Sequence, residues 1–543
     1  MEPVTCCDAV VVGAGFAGLY MMHRLRGLGM SAIGFEAGGD VGGTWYWNRY
    51  PGARCDVESM QYSYAFDDAL QQEWRWSEVF AAQPEILRYA GHVADRFDLR
   101  RSFRFGTRVA SAAFDEAACR WTVRTEGGDT VSARFCIMAT GCLSAGRLPE
   151  VDGIGTFRGP SYHTGSWPHG GVDFAGQRVG VIGTGSSGIQ AIPVIAQQAR
   201  TLHVFQRTPN FSLPARNGPM PAEHEAAWKA EYPQRRTSAR TTKTGTVYDF
   251  GDKSALDVPA DQREREYMTR WQRGGINFMA AYNDLSVNEA SNETAAAFVR
   301  ARIRELVHDP DTAEALTPRD YPIGTKRICV DTGYFETFNR PNVTLVDLRR
   351  SPLVAVTPAG VRTGDAEYEL DSIVFATGFD ALTGALARIA ITGRRGAALS
   401  DTWAAGPRTY LGLMTAGFPN LFLITGPGSP SVLSNMMFSI EQHVEWIADC
   451  LVHLRRQGAD GIEAEPDAED AWVAHVNEVA HRTLYPRAAS WYMGANVQGK
   501  PRVFMPYIGG VDAYRQRCEE VAGRGYEGFR IAMPARQLAT AGE

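Results

Sequence analysis

Residues 8–29 read DAVVVGAGFAGLYMMHRLRGLG, in which an apolar run meets three spaced glycines and then a helical pattern. Gly13, Gly15 and Gly18 have the spacing of a dinucleotide-binding turn between a strand and a helix. Such a turn uses the first glycine for the tight bend, the second for close approach of a pyrophosphate, and the third for packing of the helix on the strand. The stretch therefore predicts a dinucleotide site in which the helix N-terminus faces the phosphates.

An acidic residue follows at the distance that this fingerprint requires. Glu36 ends the next apolar run, SAIGFE, about 20 residues after the glycines, where a carboxylate can bind a ribose hydroxyl. A purely structural turn in another doubly wound fold is the alternative interpretation. The combination of strand, glycines, helix and acid favours the dinucleotide site.

A second fingerprint occurs in residues 178–196, RVGVIGTGSSGIQAIPVIA, with glycines at 183, 185 and 188 and with Ser186 and Ser187 between them. The position that corresponds to Glu36 is Gln206, and Arg207 follows it. A neutral residue beside an arginine suits the 2′-phosphate of NADP better than NAD. The alternative is that Arg207 lies on a solvated strand end. The chain is therefore predicted to be an α/β protein with two Rossmann-like dinucleotide-binding domains.

Length, charge and cysteine content limit the function classes. A chain of 543 residues exceeds one hydrophobic core, and a net charge of −6 disfavours nucleic acid or an anionic membrane as partner. No run approaches the roughly 20 apolar residues that span a bilayer, so we expect a cytoplasmic protein. The nine cysteines form no CxxC pair, and we expect no metal site. Cys136 and Cys142 lie too far apart in sequence to resemble a flavoprotein redox pair.

The stretch FRGPSYHTGSWP, residues 157–168, lies just before the second fingerprint and matches the signature FxGxxxHxxxW[PD]. The matching residues are Phe157, Gly159, His163, Trp167 and Pro168. The sequence here resembles the type I Baeyer–Villiger monooxygenases. That resemblance implies an enzyme that contains FAD, consumes NADPH and O2, and inserts one oxygen atom beside a ketone carbonyl to give an ester or lactone.

The resemblance covers almost the whole chain and is strongest to family members that oxidise phenylacetone and steroids. The segments that carry it include GGTWYWNRYPGARCDVES (42–59), HVFQRTP (203–209), GTKR (324–327), ATGFDALTGAL (376–386), GPGSPSVLSNM (426–436) and SWYMGANVQGKPRVFMPY (490–507).

The two fingerprints and the resemblance together predict the domain limits. We expect an FAD-binding domain in residues 1–150 and 386–543, the second part including a C-terminal loop. An NADP-binding domain is expected in residues 151–208 and 326–385. Charged helical patterns in 209–325 predict a helical insertion in the NADP domain, with a partner interface as the alternative to a solvated surface. One of its helices is expected to start at an Asn292 cap and to stop at Pro310.

The resemblance assigns roles to residues that spacing alone does not single out. It makes Arg327 the catalytic arginine and Asp56 its carboxylate partner beside the flavin, where a guanidinium can stabilise negative charge during oxygen transfer. An ordinary surface cation is the alternative for Arg327. The cofactor-binding residues so implied are Gly13, Gly15, Gly18, Glu36, Thr44, Trp45, Asp56, Gly183, Gly185, Ser186, Ser187, Gly188, Arg207, Thr208, Lys326, Arg327 and Trp491.

The resemblance also implies roles for Lys326, Trp491, His163 and Trp167. Lys326 is expected to join Arg207 and Thr208 at the 2′-phosphate, and Trp491 to contact the nicotinamide nucleotide from the C-terminal loop. A buried aromatic anchor is the alternative for Trp491. His163 and Trp167 are expected to connect the two domains and to shape their relative movement rather than to transfer a proton.

The substrate pocket is expected to contain Cys142, Leu143, Ser431, Val432, Leu433 and Met436. Its apolar character suits aryl or bulky apolar ketones, with sulfoxidation as a side activity. Cys142 departs from the phenylacetone-oxidising members, which have glutamine there. We expect a monomer. An N- or S-oxidising flavin monooxygenase and a non-catalytic NADP-sensing flavoprotein remain the alternatives.

Overall fold

The computed structural model describes residues 5–533 as an α/β protein. Its strands are β1 (Thr5–Val12), β2 (Ala32–Phe35), β3 (Phe103–Arg104), β4 (Val109–Asp115), β5 (Arg120–Thr125), β6 (Thr130–Met138), β7 (Ser161–His163), β8 (Arg178–Ile182), β9 (Thr201–Gln206), β10 (Ser212–Pro214), β11 (Cys329–Asp331), β12 (Val343–Asp347), β13 (Leu353–Thr357), β14 (Gly360–Thr363), β15 (Glu367–Glu369), β16 (Ser372–Phe375), β17 (Ala390–Thr392), β18 (Leu421–Leu423), β19 (Gly461–Ala464) and β20 (Phe529–Ala532).

The helices are α1 (Phe16–Gly27), α2 (Thr44–Trp47), α3 (Asp68–Glu73), α4 (Gln83–Arg96), α5 (Ser186–Gln198), α6 (Ala222–Ala239), α7 (Ala260–Arg273), α8 (Glu289–Leu306), α9 (Pro310–Leu316), α10 (Tyr334–Thr337), α11 (Gly384–Ala387), α12 (Leu399–Thr402), α13 (Met436–Gln457), α14 (Pro466–His481) and α15 (Val511–Gly523). No helix in the described range of 5–533 is long and apolar enough to cross a membrane.

The first fingerprint forms β1 and α1 in the larger of the two main sheets. Its strand order is β17, β4, β5, β6, β1, β2, β3, with β18 paired to β6. The strand β1 pairs in parallel with both β2 and β6. Because β1 is covered on both faces, its residues Ala9, Val10 and Val11 are fully buried, as its continuous apolar run predicts.

The second fingerprint forms β8 and α5 in a five-stranded parallel sheet. Its order is β12, β9, β8, β16, β7, so that β8 lies in the middle and the helix α5 follows it as α1 follows β1. The predicted α/β class with two Rossmann-like folds is therefore confirmed.

Helices α6 to α9 lie between β10 and β11 and contact both halves of the molecule. Trp228 and Tyr232 of α6 pack in the core that surrounds α1 and α13. Trp271 of α7 and Phe298 of α8 pack instead in the core of the second fold. The helix α6 therefore joins the first fold, whereas its neighbours join the second.

The prediction that Asn292 caps a helix was wrong. The helix α8 begins at Glu289, and the side chain of Asn288 accepts the cap hydrogen bonds from the backbone N–H groups of Ala290 and Ser291. The amide of Asn292 is buried inside the first turns and donates to the carbonyls of Leu285 and Ile323. Either asparagine fits the sequence pattern, and tertiary contacts of the Asn292 amide decide between them.

Candidate active site

Both fingerprints open into one cleft with a volume of about 1410 Å³. The turns at Gly13 and Gly15 line one side of this cleft, and those at Gly183 and Gly185 line another. Each turn lies at the carboxyl end of its strand, which is where open parallel sheets bind ligands. Two dinucleotides could therefore meet in the same space.

Two of the three glycines of the first fingerprint, Gly13 and Gly18, are required by close backbone contacts. Gly13 has φ +109°, and a Cβ there would lie 2.5 Å from the carbonyl oxygen of Ala139. A Cβ on Gly18 would lie 1.8 Å from the carbonyl oxygen of Gly13, and one on Gly15 would lie 3.4 Å from the Cα of Gly43. The helix thus packs directly on its strand, and the cleft wall has the shape of a dinucleotide cradle.

The carboxylate of Glu36 is fixed at the end of β2 and lines the cleft. One oxygen accepts a hydrogen bond from the backbone of Ala14 at 2.7 Å, and the other accepts from Gly38 at 2.6 Å. Thr44 and Trp45 line the cleft nearby, at the start of α2. These residues fit the ribose and flavin side of FAD, and the carboxylate retains acceptor capacity for ribose hydroxyls.

The second fingerprint repeats this arrangement. Gly183 has φ +108°, and a Cβ on Gly188 would lie 2.2 Å from the carbonyl oxygen of Gly183. A Cβ on Gly185 would meet no atom within 4 Å, because that position faces open space. Ser186 and Ser187 begin α5 and line the cleft at the same end. This turn can accommodate a second pyrophosphate.

Gln206 and Arg207 point to opposite sides of the chain. The Gln206 side chain is fully buried, and its Nε2 donates to the carbonyl of Ala315. Arg207, the next residue, is exposed and lines the cleft together with Thr208 and Lys326. Burial, followed by the charge of Arg207, lowers the pKa of Lys326. Two cations at one place fit the 2′-phosphate of NADP.

Asp56 and Arg327 form an ion pair in the cleft wall. The Nη2 of Arg327 donates to Oδ2 of Asp56 at 3.0 Å, and its Nη1 donates to the carbonyl of Val432 at 3.4 Å. The Asp56 side chain is only 5% exposed, whereas that of Arg327 is 38% exposed. The guanidinium therefore has one side fixed by Asp56 and another open to the cleft.

Electrostatics keep this guanidinium charged. Burial acts to lower the pKa of Arg327, but the Asp56 carboxylate outweighs it and the pKa lies above its ordinary value. Burial also raises the pKa of the Asp56 carboxyl, and Arg327 opposes that rise. The site thus presents a permanent cation whose orientation depends on the ionised form of Asp56.

Four of the six residues predicted for the substrate pocket line the cleft, namely Cys142, Leu143, Val432 and Met436. Ser431 and Leu433 do not. Ser431 is fully buried with φ +41°, and Leu433 packs behind the wall in the same apolar cluster as Cys142. The short 3-10 turn of residues 431–433 explains this, because it points successive side chains in different directions.

The C-terminal segment completes that apolar cluster. Trp491 begins a short 3-10 turn and lines the cleft, and its ring centroid lies 4.2 Å from that of Tyr492. Tyr492 and Phe504 pack in the cluster that contains Cys142 and Val432. Sequence reasoning missed these two aromatic residues, although both belong to the segment SWYMGANVQGKPRVFMPY.

His163 and Trp167 each contact a segment that precedes the second fold in the sequence. His163 ends β7 of the second sheet, its Nδ1 accepts from the backbone of Gly165, and its other ring nitrogen lies 3.1 Å from the carbonyl oxygen of Arg147. Burial lowers the pKa of His163, which favours the neutral ring. The backbone N–H of Trp167 donates to the carbonyl of Trp47 beside the first cofactor turn. His163 lines the cleft, and Trp167 is buried behind it.

Within residues 5–533 no group of three or more metal-ligating side chains is close enough together to hold a metal ion. Cys136 is buried in β6 and Cys142 lies in the cleft, and no disulfide joins them.

Comparisons with known proteins agree with this site. A model of the pyridine nucleotide-disulphide oxidoreductase family matches residues 10–216, which contain both fingerprints. A solved structure of oxidised steroid monooxygenase bound to NADP has 54% sequence identity and a TM-score of 0.93, and covers 98% of this chain and 100% of its own.

Two curated relatives extend the comparison. A Baeyer–Villiger monooxygenase of Pseudooceanicola batsensis is 42% identical over 96% of this chain and 95% of its own length. Phenazine N-monooxygenase PhzNO1 of Lysobacter antibioticus is 40% identical over 96% of both chains. Such identity over nearly the full length is incompatible with a resemblance of fold alone. The chain belongs to the Baeyer–Villiger monooxygenase family of FAD- and NADPH-dependent enzymes, as its two fingerprints and its signature predict.

Proposed function

We propose that this enzyme inserts one oxygen atom from O2 beside the carbonyl of an aryl or other bulky apolar ketone and releases an ester or lactone. The observation that supports the proposal is the ion pair of Arg327 and Asp56 in the wall of a cleft shared by two dinucleotide folds. A fixed cation at that place can stabilise negative charge on a reacting oxygen.

The residues of the first fold would hold FAD, and those of the second would hold NADPH. When bound, the two cofactors supply the electrons and the activated oxygen. The helix N-terminus at Gly15 and the carboxylate of Glu36 would bind the pyrophosphate and a ribose of FAD. Ser186, Arg207 and Lys326 would bind the phosphates of NADPH. The positions of these residues in the lining of the cleft support the assignments.

Arg327 would act on the substrate through its free guanidinium edge. The guanidinium has five N–H donors, and Asp56 accepts a hydrogen bond from one of them. The Arg327 side chain is also 38% exposed. The open donors can bind a ketone oxygen and stabilise it as it becomes an oxyanion. Because arginine does not lose its proton in the working pH range, the group orients and stabilises but does not donate a proton.

The substrate class is proposed from the apolar wall around Cys142, Val432 and Met436, to which Trp491 adds aromatic surface. Such walls favour large apolar groups by removing their surface from water. The small Cys142 side chain leaves volume that a longer polar side chain would fill. We therefore place aryl and bulky ketones ahead of small ones.

The test supplies the FAD-loaded protein with NADPH, air and phenylacetone, and measures benzyl acetate and hydrogen peroxide against NADPH consumed. We expect ester in nearly equal amount to NADPH. Peroxide without ester from phenylacetone, a cyclic ketone and a steroid ketone would contradict ketone oxidation. Ester only from small ketones would contradict the substrate class alone.

Oxidation of nitrogen or sulfur is a second candidate, favoured by the 40% identity to a phenazine N-monooxygenase. We propose sulfoxidation as a side activity of the same cleft. A panel of sulfides and aromatic amines separates the two functions, because heteroatom oxidation forms no oxyanion at a carbonyl carbon. Replacing Arg327 with alanine should then abolish ester formation and spare the oxidation of a sulfide.

The domain limits, the monomeric state and the cytoplasmic location stay predictions. Limited proteolysis with mass spectrometry would test the limits near residues 150, 208, 325 and 385. Light scattering of the purified protein would test for a monomer, and cell fractionation would test the location.

A further inference from the structure

Gln190 is a buried polar residue of α5 whose side chain faces the segment that contains Asp56. Its Oε1 accepts from the hydroxyl of Tyr50 at 2.8 Å and from the backbone of Arg54 at 3.4 Å. Its Nε2 donates to the carbonyl of Arg54 at 3.1 Å and to Oδ1 of Asp56 at 3.4 Å. Every polar atom of this amide is therefore engaged with residues 50–56.

The two oxygens of Asp56 are divided between two partners. Oδ2 accepts from Arg327, and Oδ1 accepts from Gln190. The carboxylate is 5% exposed, so that a partner lost from either side is not readily replaced by solvent. Gln190 and Arg327 thus fix the carboxylate from opposite edges.

Tyr50 and the backbone N–H of Arg54 together determine which end of the Gln190 amide faces Asp56. Burial raises the pKa of Tyr50, so its hydroxyl keeps its proton and donates to Oε1. The Arg54 N–H can only donate and also contacts Oε1, so the two contacts assign the oxygen end of the amide to this side and leave the N–H2 end for the carboxylate. The opposite orientation would place an amide oxygen against a carboxylate oxygen.

Gln190 also lies directly behind the expected nucleotide-binding turn. Ser186 and Gln190 are four residues apart on α5, so they share one face of the helix, and both line the cleft. The backbone contact is equally close, because a Cβ on Gly52 would lie 2.3 Å from the carbonyl oxygen of Gln190. The helix that would receive NADPH thus packs directly against the segment that carries Asp56.

We propose that Gln190, oriented by Tyr50, is a positioning residue that fixes the Asp56 carboxylate and, through it, the guanidinium of Arg327, an inference that rests on the proposed function. It acts from the NADPH-binding helix on a carboxylate of the FAD-binding fold. A change at this residue therefore alters the surroundings of the Asp56 carboxylate while both members of the ion pair are retained.

The titratable groups that face Asp56 are Arg327, Tyr50, Cys55, Tyr248 and Cys329. Burial raises the pKa of each of the two cysteines to about 12, and it raises the pKa of both tyrosines. These four groups therefore stay neutral near neutral pH. Arg327 and the Gln190 amide are left as the groups that favour the ionised carboxylate.

The experiment compares the wild type, Gln190→Leu, Tyr50→Phe and a control, Gln197→Leu, which changes an exposed glutamine on the same helix. Ester formation is measured against pH for each. We expect Gln190→Leu to shift the acidic limb of this pH profile, where activity falls as the pH falls, upward by about half to one pH unit. The reason is that the charged form of Asp56 loses a hydrogen-bond donor. Tyr50→Phe should shift the limb less, in the same direction, and Gln197→Leu should not shift it.

Crystal structures of the wild type and Gln190→Leu give a second readout. We expect a rotated Asp56 carboxylate and a longer contact to Arg327 in the variant. An unmoved acidic limb together with unchanged Asp56–Arg327 geometry would overturn the proposal, even with reduced thermal stability. If Gln190→Leu does not fold, an unmoved limb in Tyr50→Phe overturns it. A wild type that forms no ester would refute the proposed function, while the geometry would still decide the positioning role.

Discussion

Asp56 and Arg327 are 271 residues apart in the sequence, and their side chains meet at 3.0 Å in the wall of the cleft. One residue follows the first dinucleotide turn, and the other precedes β11 beside the second fold. The pair therefore exists only when both folds are assembled. This makes the pair a reporter of the assembled cleft.

Replacing Arg327 with alanine should reduce ester formation at least about 100-fold, since loss of one oxyanion donor costs roughly 2.7–4 kcal/mol in comparable sites. Reduction of the flavin by NADPH, followed anaerobically by absorbance, should continue. Arg327→Lys keeps the charge but loses the planar fork, and we expect it to restore only part of the activity. Full ester formation by the alanine variant would show that another group stabilises the reacting oxygen.

The activity should fall at acid pH because of Asp56. Burial raises the pKa of this carboxyl, and its ionised form is the one that pairs with Arg327. Lowering the pH through that raised pKa therefore neutralises Asp56 and releases the guanidinium, and ester formation decreases. Asp56→Asn should be weakly active and lack this limb when kcat/KM is measured from about pH 5 to pH 9. Retention of the wild-type limb by Asp56→Asn would assign it to another group.

The nucleotide preference should depend on Arg207 and Lys326. Charged hydrogen bonds contribute about 1.5–3 kcal/mol, so replacing either with glutamine should raise the KM for NADPH roughly 10- to 100-fold. The KM for NADH should change little, because NADH lacks the 2′-phosphate. Steady-state kinetics with both nucleotides make this comparison within one variant. Equal losses for both nucleotides would mean that these residues hold a different part of the molecule.

The nucleotide turns could be predicted from the sequence because their causes are local. Gly13 and Gly183 need positive φ, and Gly18 and Gly188 approach backbone five residues earlier. The position of Arg207 directly after Gln206 could also be read from the sequence, and the structure ends β9 at Gln206 and leaves Arg207 exposed.

Other features depend on contacts between distant segments, and no local pattern encodes them. Arg327 was identified only through resemblance, because nothing in its spacing relates it to Asp56. Gln190 stands inside a motif that was quoted for its glycines, and its role is visible only where Tyr50 and Asp56 surround its amide. The prediction that Asn292 caps a helix was wrong for the same reason, because hydrogen bonds of its amide to the carbonyls of Leu285 and Ile323 hold the residue inside the helix.

An ion pair connects the C-terminal segment to the strand end of the second fold. The Nζ of Lys500 donates to Oδ1 of Asp380 at 2.6 Å and to the carbonyl of Ala381 at 3.0 Å. The amide of Asn496 adds a hydrogen bond to the carbonyl of Phe379 at 2.7 Å. These contacts keep Trp491 and its neighbours against the cleft. The Lys500 side chain is 12% exposed, so its charge is poorly compensated by water.

Replacing Lys500 with methionine should therefore weaken NADP+ retention about tenfold and raise the fraction of NADPH lost to hydrogen peroxide. The segment would then keep only the hydrogen bond of Asn496 and the apolar packing of Leu382 at that strand end, and the cleft would admit water during the reaction. Isothermal titration calorimetry measures the Kd for NADP+. The hydrogen peroxide formed per NADPH consumed measures the fraction of NADPH that is lost. Arg482→Met, which breaks an exposed pair with Glu478, is the control and should change neither. In the Lys500→Met background, Asp380→Asn should add no further loss, and a large additional loss would show that Asp380 acts independently of Lys500.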